Sequence, residues 1–172
     1  MRHSYIIILR GYPASGKSTI GKALEKSGAG VFIDHNSILS YIASFTGDDE
    51  GIYSEIHQLE QAMASKILAD GKNVIVARGF STEKQVTPYL NIAKQKNSIA
   101  HIVALEVERE LLEKRVVSPE RKQGFNPSIN VEAMSDWIEK NPRQSIEGEH
   151  IVINANKSVE EVTSEVLSLI SS

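Results

Sequence analysis

Short apolar runs alternate along the chain with longer segments in which apolar residues recur at steps of three and four. A short, continuous apolar run is typical of a buried strand, and the longer spacing is typical of a helix with one buried face. The runs predict strands at 5–10, 31–33, 73–77, 99–107 and 150–153. The spacing predicts helices at 17–27, 36–45, 53–70, 82–96, 108–116, 131–140 and 159–170. We expect Pro88 to interrupt the helix at 82–96, because proline removes a backbone donor.

This alternation predicts the fold class. Strands that alternate with helices form parallel crossovers, so we expect an α/β sandwich in which helices cover both faces of the sheet. The chain has 172 residues, which is typical of one domain. Ligands of such sheets bind beyond the carboxyl ends of the strands. The functional candidates are therefore the loop that begins at Gly11, Asp34, residues 78–80, Glu108 with the helix after it, and residues 154–157.

The composition narrows the chemistry. The chain has no cysteine, which excludes disulfides, thiolate metal sites and cysteine nucleophiles. Its net charge is −3, so no overall basic field attracts nucleic acid. No stretch approaches the ~18 apolar residues of a membrane span, and the five histidines lack paired metal-binding spacing. We expect a cytoplasmic protein with no nucleic-acid partner, no membrane partner and no structural metal.

The sharpest signal is a phosphate-binding loop between the first strand and the first helix. It matches the pattern GxxxxGK[ST] and consists of Gly11, Tyr12, Pro13, Ala14, Ser15, Gly16, Lys17, Ser18 and Thr19. The glycines let backbone N–H groups approach phosphate oxygens, and the dipole of the following helix adds to the attraction. Lys17 reaches the β- and γ-phosphates, and the Ser18 hydroxyl is a direct ligand for Mg²⁺. The loop predicts binding of a nucleoside triphosphate, ATP, with Mg²⁺.

The loop GYPASGKST, one aspartate at the end of the second strand and an arginine-bearing loop after the fourth strand resemble the small P-loop kinases. This group includes shikimate, gluconate and nucleoside monophosphate kinases, chloramphenicol phosphotransferase and polynucleotide kinase. The resemblance spans nearly the whole chain as an order of elements. It implies a three-layer P-loop fold whose five parallel strands lie in the order 2-3-1-4-5, with a small lid over the triphosphate.

The resemblance also implies a role for Asp34. In such kinases a carboxylate at this strand tip accepts the proton of the substrate hydroxyl, or holds Mg²⁺ through a water. Asp34 is therefore a candidate catalytic, substrate-binding and metal-associated residue. It also precedes a helical run, so it can be a helix N-cap, and the two roles are compatible. Shikimate kinases carry a second aspartate two residues later, whereas this chain has Asn36.

The end of the third strand is the next candidate. By position, Arg78 and Gly79 form a substrate-binding turn in which Arg78 pairs with an anionic group of the substrate or with the transferring phosphoryl group. The alternative for Arg78 is a surface ion pair. An aspartate that assists the metal is often found on this strand, and the strand here has none.

A lid and an acceptor lobe complete the implied site. The lid covers about 115–130 and carries Arg115 and Arg121, cations that stabilise charge in the transition state. The acceptor lobe covers about 35–70, where Tyr41 and His57 are candidate substrate contacts, although aromatic residues at helical spacing also suit a core. Asn156 follows the last strand, where relatives hold adenine. The segment lacks the aspartate of guanine-reading NKxD loops, which favours ATP over GTP.

These features together predict one P-loop kinase-like domain, residues 1–172, that transfers the γ-phosphate of ATP to a hydroxyl of a small molecule. Two alternatives stay open. One is a kinase of polynucleotide ends or of a sugar nucleotide, and the other is a regulatory ATPase or nucleotide-binding module without kinase activity. We expect a monomer or a homodimer.

Overall fold

The computed structural model describes residues 3–46, 52–119, 130–148 and 151–171. Arg121 and most of the predicted lid lie outside these ranges. The strands are β1 Tyr5–Arg10, β2 Val31–Ile33, β3 Val74–Arg78, β4 Ile99–Glu106 and β5 Ile151–Asn154. The helices are α1 Lys17–Lys26, α2 His35–Thr46, α3 Ile52–Ala69, α4 Glu83–Gln95, α5 Arg109–Val116, α6 Val131–Lys140 and α7 Val159–Ile170.

The five strands form one parallel sheet in the order β2-β3-β1-β4-β5, which confirms the predicted topology. The central strand β1 pairs with β3 on one side and with β4 on the other. In this register Arg10, the last residue of β1, lies beside Arg78 and Ala104. The carboxyl ends of β1, β3 and β4 therefore meet at one edge of the sheet.

Alternate residues of the strands enter two separate cores, one on each face of the sheet. One core contains Ile7 and Leu9 of β1 with apolar residues of α1 and α7. The other contains Ile6 and Ile8 with apolar residues of α3 and α4. Successive side chains of a strand point to opposite faces, so a continuous apolar run is what a sheet covered on both faces requires.

The prediction that Pro88 interrupts a helix is wrong. Helix α4 continues through Pro88 from Glu83 to Gln95. The buried residues Val86 and Tyr89 lie on either side of the proline and pack into the core, and Ala93 follows on the same face. Tertiary packing on both sides of Pro88 thus outweighs the loss of one helical hydrogen bond.

Asn73 ties three strands together at the edge of the sheet opposite the phosphate loop. Its side-chain oxygen accepts a hydrogen bond from the Tyr5 backbone (3.1 Å), and its side-chain nitrogen donates to the Ala29 carbonyl (3.0 Å). Its own carbonyl accepts from the Val31 backbone (2.9 Å). Because the chain crosses so closely here, a Cβ atom on Gly30 would lie 2.9 Å from the Asn73 carbonyl carbon.

None of the helices in the described ranges is long and apolar enough to cross a membrane.

We predict that Gly30→Ala destabilises the fold. The added methyl group meets the backbone of Asn73, which the three hydrogen bonds hold in place. Such overpacking costs about 1–3 kcal/mol, which exceeds the gain of about 0.4–1 kcal/mol from a stiffer unfolded chain. Urea denaturation measures the difference, and Lys72→Ala at the neighbouring exposed position is the control. A Gly30→Ala variant as stable as the control contradicts the prediction.

Candidate active site

A cleft of about 1190 Å³ lies at the carboxyl edge of the sheet. It is lined by the phosphate loop, the first turns of α1 and α2, the end of β3, and parts of α3, α5, α6 and the loop after β5. A single small-molecule pocket usually measures about 300–1,000 Å³, so the cleft has room for more than one ligand.

The backbone of the phosphate loop takes conformations that suit anion binding. Gly16, with φ +94°, precedes the first residue of α1, and Ala14 also lies in the left-handed region with φ +64°. At Gly11 a Cβ atom would lie 2.8 Å from the Leu105 carbonyl oxygen and 2.7 Å from Ser15 Oγ. A side chain at Gly11 would therefore displace the start of the loop from β4.

The ammonium group of Lys17 lies over this loop. Its Nζ donates to the carbonyl oxygens of Gly11 (2.9 Å) and Tyr12 (2.7 Å) and contacts Ser15 Oγ (3.2 Å). These oxygens hold the positive charge at the mouth of the nest that the loop N–H groups form. We expect phosphate oxygens to replace them as partners of Lys17 when a nucleotide binds.

Asp34 caps α2 and lies beside the phosphate loop. Its Oδ1 accepts a hydrogen bond from the Asn36 backbone (3.2 Å), and its Oδ2 accepts one from the Ser37 hydroxyl (2.8 Å). Asp34 Oδ2 also lies 3.5 Å from Lys22 Nζ. The neighbouring Asn36 amide reaches Ser18 Oγ at 3.5 Å. The cap position therefore brings the carboxylate to the same end of the cleft as Ser18.

Ser18 and Asp34 fit the chemistry of Mg²⁺. This ion prefers oxygen ligands and keeps several waters, with one or two protein groups and the phosphates completing its shell. A hydroxyl and a carboxylate that converge on one end of the phosphate loop supply such oxygens.

Arg115 connects the phosphate loop to the loop after β5. Its Nη2 donates to the Ala155 carbonyl (3.0 Å), and its Nη1 lies 3.9 Å from the position that a Cβ atom would take on Gly16. Burial lowers the pKa of the Arg115 guanidinium, which nevertheless remains charged. The structure thus places one predicted lid cation beside the loop, whereas Arg121 lies outside the described residues.

The turn after β3 is strained. Phe80 has φ +44°, which is rare for a bulky residue, and its buried ring packs edge-to-face on Tyr89 at 5.6 Å between centroids. Gly79 lies under the indole of Trp137, since a Cβ atom there would be 3.0 Å from Trp137 Cη2. Strain of this kind persists only where surrounding packing enforces it, and it is common at functional sites.

Arg78 does not form a surface ion pair, the alternative that the sequence allowed, because its partner is buried. Its Nη1 lies 3.6 Å from Oε2 of Glu60, whose side chain is only 2% exposed. The guanidinium also lies over the Phe80 ring at 5.6 Å from the centroid. Arg78 lines the cleft and remains 18% exposed, so it is available to a ligand.

Two predicted substrate contacts line the cleft, near Tyr53. Tyr41 is 70% exposed at its rim, and His57 lies deeper, 5.8 Å from His35 between ring centroids. Burial lowers the pKa of His57, and the positive charge of Arg78 acts in the same direction. His57 Nε2 is buried and has no hydrogen-bond partner among the described residues. The part of the cleft bounded by His35, Tyr41, Tyr53, His57, Arg78, Gly79 and Trp137 is the acceptor side, named for the substrate contacts predicted at Tyr41 and His57.

Asn156 and Tyr12 face a second, smaller cavity of about 580 Å³ on the other side of the phosphate loop. Asn156 Oδ1 accepts a hydrogen bond from the Glu108 backbone (3.0 Å), so its side chain braces the start of α5. Ala155 and Lys157, on either side of it in sequence, line the main cleft instead. Of the phosphate loop, Pro13 to Thr19 line the main cleft.

Sequence reasoning missed Glu60, His35 and Trp137. Glu60 carried a detectable signal, because it lies four residues after Ile56 and four before Ala64 on the buried stripe of α3. A carboxylate on an apolar stripe is rarely buried without partners. Trp137 belongs to a helix that is distant in sequence from the other site residues, so no local pattern places it over Gly79.

Residues 6–140 match a protein-family model described as an AAA domain. No curated protein matches the sequence.

Solved structures share the fold over the full length. A protein of Chloroflexus aurantiacus, described as a kinase candidate, is 13% identical with a TM-score of 0.78, covering 99% of this chain and 98% of that chain. The Mycobacterium tuberculosis APS kinase, solved with AMPPNP and APS, is 14% identical with a TM-score of 0.69 and full coverage of both chains (100% and 100%). A shikimate kinase from Bacteroides thetaiotaomicron is 19% identical with a TM-score of 0.62, covering 98% of this chain and 99% of that chain. This likeness confirms the predicted resemblance to small P-loop kinases at the level of the fold.

We predict that Lys17→Met weakens ATP binding. The variant removes the ammonium that lies over the phosphate loop. Hydrogen bonds to charged groups contribute about 1.5–3 kcal/mol, so the dissociation constant should rise roughly 10- to 100-fold. Calorimetric titration with ATP and Mg²⁺ measures it, and Lys26→Met in the last turn of the same helix is the control. Equal affinities of the two variants would contradict the assignment.

We predict that Arg78→Met raises the pKa of His57. Removal of a nearby positive charge favours the protonated imidazole, so the pKa should move up towards its ordinary value. A pH titration of the imidazole ¹H–¹³C signals measures the shift. Arg109→Met, in the exposed first turn of α5, is the control that should leave His57 unchanged. A downward or absent shift in Arg78→Met would disprove the electrostatic link.

Proposed function

Because this chain belongs to the AAA domain family, whose model matches residues 6–140, we propose that it is an ATP-dependent phosphotransferase acting on a hydroxyl of a small molecule. The observation that carries the proposal is the position of Asp34 at the Ser18 end of the phosphate loop, where Asn36 reaches Ser18 Oγ at 3.5 Å. A carboxylate beside a triphosphate site is the group that a phosphoryl acceptor requires.

In this proposal the phosphate loop binds ATP, and Lys17 pairs with the β- and γ-phosphates. Ser18 directly and Asp34 through a water would hold Mg²⁺, which would supply neutralisation of the phosphate charge. The loop after β5 and Arg115, which bonds the Ala155 carbonyl of that loop, lie on the side of the cleft where the nucleoside would extend. Asn156 supports that loop through its bond to Glu108 and contributes to ATP binding by positioning.

Asp34 orients the acceptor hydroxyl and takes its proton. Its two cap bonds, to the Asn36 backbone and the Ser37 hydroxyl, fix the rotamer of the carboxylate. Lys22 Nζ lies 3.5 Å from Asp34 Oδ2 and adds a charged neighbour to these two hydrogen bonds. In this proposal Asp34 therefore serves both as the N-cap of α2 and as the proton acceptor, the two roles that the sequence allowed.

Arg115 and Arg121 supply positive charge to the transferring phosphoryl group. Phosphoryl transfer spreads charge over three equatorial oxygens, and cations arranged beforehand stabilise that charge most effectively. The Arg115 side chain is held by the Ala155 carbonyl near Gly16, so it needs little rearrangement to serve this role. Arg121 is proposed from the sequence alone.

The acceptor binds at the acceptor side of the cleft. Arg78 and the Gly79 turn hold a polar or anionic group of the acceptor, and Tyr41 and His57 form further walls. These residues present guanidinium N–H donors, a phenolic hydroxyl and an imidazole, a set that suits a hydroxylated small molecule.

A regulatory ATPase is the second candidate. The observation that favours it is β3, which reads VIVAR and offers no carboxylate to the metal. An ADP-release assay over sugars, nucleosides, hydroxy acids and antibiotics separates the two functions. A kinase releases ADP faster with one class of acceptor, and a regulatory ATPase releases it at one rate throughout.

We predict that Asp34→Asn lowers acceptor-dependent turnover by about 100-fold or more, the usual contribution of a general base, while ATP affinity stays close to that of the wild type. Asparagine is as good an N-cap as aspartate, so the variant should keep its stability. Ser37→Ala, which removes one cap bond and leaves the carboxylate, is the matched control. Steady-state kinetics and calorimetric ATP titration give the two numbers. Normal turnover in Asp34→Asn would remove the base assignment.

A further inference from the structure

We propose that Glu60 is the positioning residue of the acceptor side, where its buried carboxylate holds His35 and Arg78 of the cleft walls in place. This inference rests on the proposed function, because it assigns those walls to the acceptor. Glu60 touches neither the phosphate loop nor Asp34, so it acts through the residues that it holds.

Three elements converge on the Glu60 carboxylate. Its Oε1 lies 2.7 Å from His35 Nδ1, at the start of α2. Its Oε2 accepts a hydrogen bond from the Tyr89 hydroxyl of α4 (3.2 Å) and lies 3.6 Å from Arg78 Nη1, at the end of β3. One side chain of α3 thus contacts the start of α2, the end of β3 and the middle of α4.

The burial of Glu60 argues for a role beyond packing. Its side chain is 2% exposed, and taking a carboxylate out of water is costly unless charge and hydrogen bonds compensate. Buried ion pairs can often be replaced by apolar residues without loss of stability, so they are weak evidence for a stabilising role. A carboxylate in the stripe of Ile56, Ala64 and Leu68 is better explained by the groups that it orients.

Tyr89 completes this arrangement as a donor. Burial raises the pKa of the Tyr89 hydroxyl, and the negative charge of Glu60 acts in the same direction. The phenol therefore stays protonated, and its hydroxyl stabilises the Glu60 carboxylate as a hydrogen-bond donor. Tyr89 also packs edge-to-face on Phe80, the strained residue of the turn, so the same side chain supports Glu60 and the Arg78–Phe80 turn.

The consequence for the acceptor lies in the direction of Arg78. Its Nη1 lies 3.6 Å from Glu60 Oε2 and its Cζ lies 5.6 Å from the centroid of the Phe80 ring, so both neighbours restrain a side chain that lines the cleft. His35 directly follows Asp34, so its bond to Glu60 also restrains the start of α2 next to the proposed base. Loss of the Glu60 charge should therefore misplace the acceptor relative to Asp34 while leaving the phosphate loop intact.

Glu60→Gln, which keeps the shape and removes the charge, is the test. Glu55→Gln, at an exposed position of the same helix, is the matched control. The first readout needs no acceptor. It is the rate at which phenylglyoxal labels each arginine, quantified by peptide mass spectrometry. We expect Arg78 to label several-fold faster in Glu60→Gln than in the control, while the fully buried Arg10, an internal reporter of unfolding, stays protected.

Kinetics with the acceptor that gives the highest ADP-release rate provide the second readout. A misplacement of about 1 Å can cost ~100-fold in rate, so we expect kcat/KM for that acceptor to fall by this order in Glu60→Gln. The dissociation constant for ATP should stay within the range of the control. Tyr89→Phe, which removes one hydrogen bond to Glu60 but keeps the carboxylate, should show a smaller loss of the same kind.

The outcomes separate the two proposals. Unchanged Arg78 labelling in Glu60→Gln overturns the positioning role, as does an unchanged kcat/KM accompanied only by a lower melting temperature. If no acceptor stimulates ADP release in the wild type, the proposed function fails, and faster Arg78 labelling still supports the part of this inference that concerns Arg78. If Arg10 labels together with Arg78, the Glu60→Gln variant has unfolded. Arg78 labelling is then compared between Tyr89→Phe and the control, and an unchanged rate in Tyr89→Phe overturns the positioning role of Glu60.

Discussion

Parallel pairing of β1 with both β3 and β4 is the constraint on which the rest of the structure depends. In that register Arg10 lies beside Arg78 and Ala104, so the chain leaves all three strands at one edge of the sheet. The phosphate loop must begin there within van der Waals distance of the Leu105 carbonyl, which only a residue without a side chain permits. The phosphate loop, the turn after β3 and the last turn of α5 consequently surround one cleft.

Charge in this cleft is arranged in two groups. The phosphate side holds Lys17 and Arg115, whose side chains rest on backbone carbonyls of the loops that they serve. The acceptor side holds Arg78 and His35, fixed around one buried carboxylate. Asp34 lines the same cleft and is restrained by the cap of α2. Side chains restrained in this way form a preorganised polar site, which needs little reorganisation to stabilise charge on a ligand.

Local signals explain which parts of the site could be predicted. The phosphate loop is contiguous, and its roles follow from backbone geometry and a single lysine. Asp34 follows from the rule that strand tips carry function. The Pro88 prediction failed because a local preference competed with packing on both sides of the proline. The surface alternative for Arg78 failed because its partner, Glu60, comes from a helix whose packing the sequence does not reveal.

By itself the sequence determined the α/β alternation, the order of elements and the anion-binding loop, because each depends on contacts between residues close in the chain or on the side-chain period of a strand or helix. Only the tertiary structure decided that Glu60 joins His35 to Arg78, that Trp137 covers Gly79, and that Asn156 braces α5 instead of facing the main cleft. Those contacts join residues from different elements. Their distances depend on how the helices pack on the twisted sheet, which no local pattern encodes.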